Sequence, residues 1–188
     1  REVMGTKGIP VHVMPRMEKF LRTQGPWSQL VGLENIQLSP MRDGRAFSLN
    51  ERLRVTPFLV PHRDEFSETV GFRIEGPSKK ILWVPDIDKW EKWETPIEKV
   101  LKDVNIAYLD GTFFADGELP GRDMSKIPHP FIAETMRRLK DQSASLRIKV
   151  RFIHLNHTNP AHDSDGTAAA QIRKAGMRVA KQGERVEL

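Results

Sequence analysis

The 188-residue sequence contains no cysteine, which excludes disulfide bonds, thiolate metal sites and cysteine nucleophiles from this stretch of chain. It also lacks any apolar run near the ~20 residues that a membrane-spanning helix requires, and it opens with no signal-peptide pattern. We therefore expect a cytoplasmic protein without a membrane span. No internal repeat, low-complexity segment or linker is visible, so residues 1–188 are expected to belong to one domain.

The charge balance argues against a nucleic-acid partner. The sequence has 30 basic and 25 acidic residues, a formal net charge of +5, and the basic residues are scattered rather than clustered. No nucleic-acid-binding motif accompanies them. An anionic small substrate suits this charge equally well, and composition alone does not distinguish between the two kinds of partner.

The order of the predicted elements indicates an α/β (α+β) fold. Strand patterns dominate the first half, and strands alternate with helices in the second half, which is typical of a layered sandwich. Thr95 and Glu98 have the spacing of a capping box at the start of a helix. The predicted strands are 9–14, 36–38, 47–49, 53–60, 70–75, 80–84, 106–109, 148–153 and a closing hairpin of 178–180 with 185–188, and the predicted helices are 16–23, 96–101, 130–140 and 168–175.

Polar side chains follow four of the predicted strands, at the point where each strand ends: His62, Asp86, Asp110 and His154. Strand ends at one edge of a layered fold converge, so these groups can meet although they lie far apart in sequence. Imidazole and carboxylate together are ligands for Zn²⁺, Fe²⁺ or Mn²⁺. Taken singly, each aspartate also fits a helix cap or a turn, and each histidine also fits an ordinary loop position.

A second dense polar region follows the predicted strand 148–153. His154 and His157 could act as a metal ligand with a proton donor, or as a ligand with a supporting group. The alternative is structural, with Asn156, Thr158 and Asn159 holding a loop together.

His129 lies between Pro128 and Pro130 at the entry to a predicted helix. The two prolines stiffen the backbone on both sides and hold the side chain in one direction. That direction is either into a pocket or towards the helix entry, and the sequence leaves both readings open.

Six segments resemble the coenzyme PQQ synthesis protein B family of the metallo-β-lactamase superfamily, in order along the chain. The resemblance implies a metallo-β-lactamase-like αββα sandwich. It implies that His62, Asp86 and His154 bind metal, and that Asp110, His129 and His157 are catalytic residues of the same pocket. The segments are residues 60–72 (VPHRDEFSETVGF), 85–90 (PDIDKW), 109–114 (LDGTFF), 121–125 (GRDMS), 128–131 (PHPF) and 152–160 (FIHLNHTNP).

The sequence departs from the superfamily pattern upstream of His62, where no histidine- and aspartate-rich metal motif is present. In the family that motif precedes a segment like residues 5–14. We therefore expect an N-terminally truncated domain, which forms the C-terminal portion of the sandwich. Its divalent metal site, for Fe or Zn, is then expected to be incomplete.

The resemblance implies a role in the biosynthesis of pyrroloquinoline quinone (PQQ). That role is either metal-dependent oxidative processing of the tyrosine-derived precursor or carriage of PQQ or its precursor, so the expected partner is a small-molecule or peptide-derived precursor. The alternative is a metal-dependent hydrolase of phosphodiesters or lactones. Whether the chain is an enzyme and whether it forms a homo-oligomer are left open. Side chains suited to a planar polycarboxylate are Arg63, Phe66, Trp83, Trp90 and Arg122.

Overall fold

The computed structural model describes residues 5–188, which form two β-sheets and six α-helices. Strands β1 and β2 pair in parallel as a small separate sheet, and β3 to β9 form a seven-stranded sheet in sequence order. The strands are β1 (Ile9–Val13), β2 (Ile36–Pro40), β3 (Phe47–Ser48), β4 (Arg54–Leu59), β5 (Val70–Glu75), β6 (Lys80–Val84), β7 (Ile106–Asp110), β8 (Val150–Ile153) and β9 (Arg178–Val179).

Strand direction in the large sheet decides where its loops meet. The pairs β4–β5 and β5–β6 are antiparallel, so β4 and β6 run in the same direction. The pairs β6–β7 and β7–β8 are parallel. The carboxyl ends of β4, β6, β7 and β8 therefore lie at one edge of the sheet.

The last four helices contribute buried side chains to the core on one face of the large sheet, and the first two lie beside the small sheet. Right-handed connections between parallel strands that follow one another in order place their helices on the same side. The helices are α1 (Pro15–Thr23), α2 (Trp27–Gly32), α3 (Ile97–Lys102), α4 (Ile132–Arg138), α5 (Ala144–Arg147) and α6 (Thr167–Lys174). The main core contains Leu82, Val84, Ala107, Leu109, Val150 and Phe152 from the strands, and Ile97, Leu101, Ile132, Leu146, Ala168 and Ile172 from the helices.

The opposite face of the sheet carries a second, smaller apolar cluster. Ile81, Ile106 and Tyr108 are buried there because strand side chains alternate between faces. Val186 and Leu188, from the end of the chain, pack against this cluster. None of the helices in residues 5–188 has the length and apolarity needed to cross a membrane.

The mixed α/β architecture agrees with the sequence prediction, but the predicted capping box is wrong. Helix α3 begins at Ile97, and its N-cap is Pro96, which has no side-chain capping bond. The helix starts one residue later than the pattern indicated. Thr95 and Glu98 are therefore out of register with a capping box.

The predicted C-terminal hairpin is also wrong. Arg178–Val179 pairs in parallel with β8, and residues 185–188 form no strand. Val186 and Leu188 are instead partly buried against the sheet face, and this contact removes apolar surface from water.

Helices α2 and α5 were missed because they are short and carry no clear apolar period. Strand β8 begins at Val150, two residues after the prediction, and Ile148 is 70% exposed. Trp90 is buried in the core, and its Nε1 donates a 2.9 Å hydrogen bond to Thr135 Oγ1. Its ring is therefore a core element and is not available to a ligand.

Candidate metal centre

The carboxyl edge of the large sheet gathers histidine and aspartate side chains from distant parts of the sequence. His62 follows β4, Asp86 follows β6, Asp110 ends β7 and His154 follows β8. His129 joins them from the loop that leads into α4. This loop is fixed by backbone hydrogen bonds from Ile132 and Ala133 to the carbonyls of Phe113 and Phe114.

Asp110 is the most buried of these residues, with no exposed surface. Its Oδ2 accepts a 3.1 Å hydrogen bond from the backbone N–H of Ile87. The same oxygen lies 2.8 Å from His129 Nδ1. Its Oδ1 accepts from the backbone N–H and the hydroxyl of Thr112, at 2.9 Å and 2.7 Å. A buried carboxylate with this many donors is held rigidly in one position.

Asp86 lies between two imidazoles. Its Oδ1 is 2.9 Å from His62 Nε2 and 3.5 Å from His129 Nδ1. That oxygen is buried and has no aligned hydrogen bond within residues 5–188, and the same holds for His62 Nδ1. A buried carboxylate oxygen without a hydrogen bond is costly unless a cation satisfies it. The orphaned oxygen therefore fits a metal ion.

The donor set also has the dimensions of a metal site. Within residues 5–188, Asp86, Asp110, His129 and His154 each offer one ligand atom, and these atoms lie within 4.8 Å of one another. Ligands at ~2.0–2.2 Å from one ion lie up to about 4.4 Å apart, so small side-chain movements suffice to close the group on an ion. Nitrogen and oxygen donors of this kind suit Zn²⁺ or Fe²⁺ equally.

The local charges favour a proton on His129. Burial is the largest single influence and by itself lowers the pKa of the imidazole. The hydrogen bond to Asp110 and the negative charges of Asp110, Asp86 and Asp88 outweigh burial, so the pKa of His129 lies above its ordinary value.

The structure brings together five of the six residues that the sequence nominated: His62, Asp86, Asp110, His129 and His154. The four-residue donor group contains Asp110 and His129, which were assigned to catalysis, and it leaves the predicted ligand His62 directly beside Asp86. The division of the set into ligands and catalytic groups stays a prediction. His157 is exposed and stands outside the donor group.

The polar segment after β8 largely holds the loops together, as the structural alternative proposed. Asn159 is buried, and its Nδ2 donates to the carbonyl oxygens of Gly111 and Thr112. The amide of Asn156 donates to Thr158 Oγ1, which donates to Glu118. These bonds tie the loop after β8 to the loop after β7, and both loops carry residues of the site.

Two residues that position the site were not singled out from the sequence, although both belong to the segment 109–114. Thr112 Oγ1 lies 3.0 Å from His154 Nδ1, besides its bond to Asp110. Gly111 lies where the ends of β7 and β8 approach closely, and its N–H donates to Ile153 O at 2.9 Å. The sequence feature that could have indicated them is a glycine and a hydroxyl residue directly after Asp110 at the end of a strand.

Replacing Gly111 with alanine is expected to destabilise the protein by about 1–3 kcal/mol. An added Cβ would stand 2.9 Å from Phe152 Cβ and 3.1 Å from Ile153 O, where backbone and core leave no room to move. Urea denaturation measures the change in the free energy of unfolding.

Gly32→Ala is the matched control, because a Cβ at Gly32 in α2 meets nothing within 4 Å. This variant is expected to be as stable as the wild type or slightly more stable. Equal stability of the two variants would contradict close packing at Gly111.

Comparison with known proteins identifies the family to which the chain is similar. The model of the family described as "Beta-lactamase superfamily domain" matches residues 1–154. Coenzyme PQQ synthesis protein B from Nitrosococcus oceani is 24% identical over 171 residues, which cover 85% of this chain and 50% of the relative. The protein of the same name from Rhizobium meliloti is 24% identical over 187 residues, with 88% and 59% covered. The chain thus spans about half the length of these curated relatives.

Solved structures share the fold. The crystal structure of Zn²⁺-bound PqqB from Methylobacterium extorquens superposes with a TM-score of 0.80 at 18% identity, over 100% of this chain and 67% of that one. A diphosphatase from the PhnP family superposes with a TM-score of 0.61 at 16% identity, over 100% of this chain and 61% of that one. These likenesses confirm the predicted metallo-β-lactamase-like fold, and the predicted resemblance to coenzyme PQQ synthesis protein B is confirmed by the curated relatives. Since the family model covers most of its residues, the chain belongs to the β-lactamase superfamily domain family.

Proposed function

We propose that this chain forms the metal-binding part of a protein of PQQ biosynthesis that processes the tyrosine-derived precursor oxidatively. The observation that carries the proposal is the orphaned Oδ1 of Asp86 within a group of aspartate and histidine donors at the sheet edge. The likeness to coenzyme PQQ synthesis protein B supports the pathway. A divalent ion held here would supply the chemistry for activating oxygen or water.

The side chains of the site have separate proposed roles in metal binding and in holding a proton. Asp86 and His154, with His62, would hold the ion, as the resemblance to the family implies. Asp110 keeps a proton on His129 Nδ1, since that nitrogen lies 2.8 Å from its carboxylate. His129 can then present a positive or hydrogen-bonding group to an anionic precursor beside the ion.

His157 is proposed to transfer protons between solvent and the site. It is exposed, three residues beyond His154, on a loop that is fastened by Asn159. An exposed imidazole on a fixed loop can exchange protons with solvent and still face a bound substrate.

Metal uptake is the first test. Because the site is expected to be incomplete, metal-stripped protein should take up Fe²⁺ or Zn²⁺ only weakly, and Asp86→Asn is expected to lose this uptake because it removes a carboxylate charge that lies beside two imidazoles. Asp103→Asn, at the exposed end of α3, is the matched control and should bind as the wild type does. Equilibrium dialysis followed by metal analysis measures the uptake. Equal uptake by both variants would contradict a metal centre at Asp86.

Three readouts separate the proposed activity from its alternatives. Oxygen consumption on addition of the precursor peptide, dependent on Fe²⁺, supports oxidative processing. Binding of PQQ without turnover indicates a carrier instead. Hydrolysis of a phosphodiester in the presence of Zn²⁺ favours the hydrolase, for which the likeness to the PhnP-family diphosphatase is the supporting observation.

A further inference from the structure

Thr112 connects the buried carboxylate of Asp110 to the imidazole of His154. Its Oγ1 lies 2.7 Å from Asp110 Oδ1 and 3.0 Å from His154 Nδ1. Thr112 and Asp110 are buried, so their contact is shielded from water, whereas His154 is exposed and reaches Thr112 from the surface. The three side chains therefore form one hydrogen-bonded chain with Thr112 in its centre.

The chemistry of the three groups determines which of them donates. A threonine hydroxyl has one proton, and an ionised carboxylate only accepts. A hydroxyl oxygen 2.7 Å from a carboxylate oxygen must place its proton between them, so the Thr112 hydroxyl donates to Asp110. The contact with His154 Nδ1 is then a hydrogen bond only if Nδ1 carries a proton and donates to Thr112 Oγ1.

The backbone of Thr112 holds the same loop. The N–H of Asn156 donates to the Thr112 carbonyl at 2.9 Å. His154 itself has a φ of 62°, a left-handed conformation that is uncommon for a residue with a side chain and persists where surrounding contacts enforce it. Thr112 therefore contacts the His154 loop through both its side chain and its main chain.

We propose that Thr112 is a positioning residue that fixes His154 in the Nδ1–H tautomer and so leaves Nε2 as its metal-binding nitrogen. Because Asp110 also lies 2.8 Å from His129 Nδ1, one buried carboxylate orients two imidazoles, His129 directly and His154 through Thr112. The tautomer of His154 follows from its contact with Thr112 and the contact of Thr112 with Asp110. Its consequence for metal binding rests on the proposed function.

Nitrogen NMR of metal-free protein labelled with ¹⁵N-histidine tests the tautomer directly. At a pH where His154 is neutral, the wild type is expected to show Nδ1 protonated and Nε2 unprotonated, with the signal assigned by its loss in His154→Gln. Thr112→Val keeps the shape of the side chain and removes the hydroxyl, so it should shift His154 towards the Nε2–H form. Thr112→Ser should restore the wild-type pattern.

Zinc affinity provides the second readout. Loss of a group that orients a ligand typically costs about 10–100-fold in metal affinity, so Thr112→Val is expected to bind zinc that much more weakly, with recovery in Thr112→Ser. Thr56→Val, at another buried threonine on β4, controls for loss of a core hydroxyl and should bind as the wild type does.

The outcomes separate this proposal from the metal site itself. A wild-type protein that binds no metal but shows the Nδ1–H form at His154 contradicts the proposed function and supports the role of Thr112. An Nε2–H form in the wild type, or an unchanged Nδ1–H form in Thr112→Val, overturns the role of Thr112 whatever the metal affinity.

Discussion

Replacing His154 with alanine is expected to weaken zinc binding about 100-fold. Loss of a group that only orients a metal ligand costs about 10–100-fold in metal affinity, so loss of a ligand itself is expected to reach the upper end of that range. A loss of about 2.5–3 kcal/mol corresponds to about two powers of ten in affinity. Competition with a chromophoric chelator measures the change.

His157→Ala is the matched control for this loss, since both variants remove an exposed imidazole from the same loop. Its zinc affinity is expected to stay within about twofold of the wild type, or about 0.4 kcal/mol. If His157 serves proton transfer, turnover in His157→Ala should still fall by roughly 10²–10⁴-fold. Equal zinc affinity in both variants would contradict His154 as a ligand.

The second large effect is expected in the core directly behind the site. Phe152→Ala should lower the free energy of unfolding by about 3–5 kcal/mol, because Phe152 is fully buried on β8 between the sheet and the helices. The cavity would lie next to Gly111, where an added Cβ would stand 2.9 Å from Phe152 Cβ. Urea denaturation of the metal-free protein isolates this effect from metal binding.

Phe66→Ala removes the same side chain from the surface and serves as the control. Phe66 is 78% exposed, so its replacement is expected to change stability by no more than about 0.5 kcal/mol. Comparable losses in the two variants would mean that β8 is not packed as the structure shows.

The confirmed parts of the prediction rest on local patterns. The strands 70–75 and 80–84 are recognisable from β-forming residues on both sides of a turn, and the structure has both strands with those bounds. Helices α2 and α5 lack such a pattern, and α2 buries no side chain while α5 buries only Leu146. The closing hairpin failed because the contact that holds Val186 and Leu188 lies across the sheet rather than along the chain.

In the candidate site, too, some features follow from local sequence patterns and others depend on tertiary contacts. The sequence by itself determined which chemical groups stand at strand ends, because His62, Asp86, Asp110 and His154 each follow a recognisable strand. It could not determine which of them touch, since that depends on strand order and direction. Only the tertiary structure decided that Asp110 is buried beneath the group, that Asp86 lies between two imidazoles, and that the Thr112 hydroxyl joins Asp110 to His154. The physical reason is that a hydrogen bond depends on distances of a few ångströms, and only the packed sheet sets such a distance between residues as far apart in sequence as Thr112 and His154, which are separated by 42 positions.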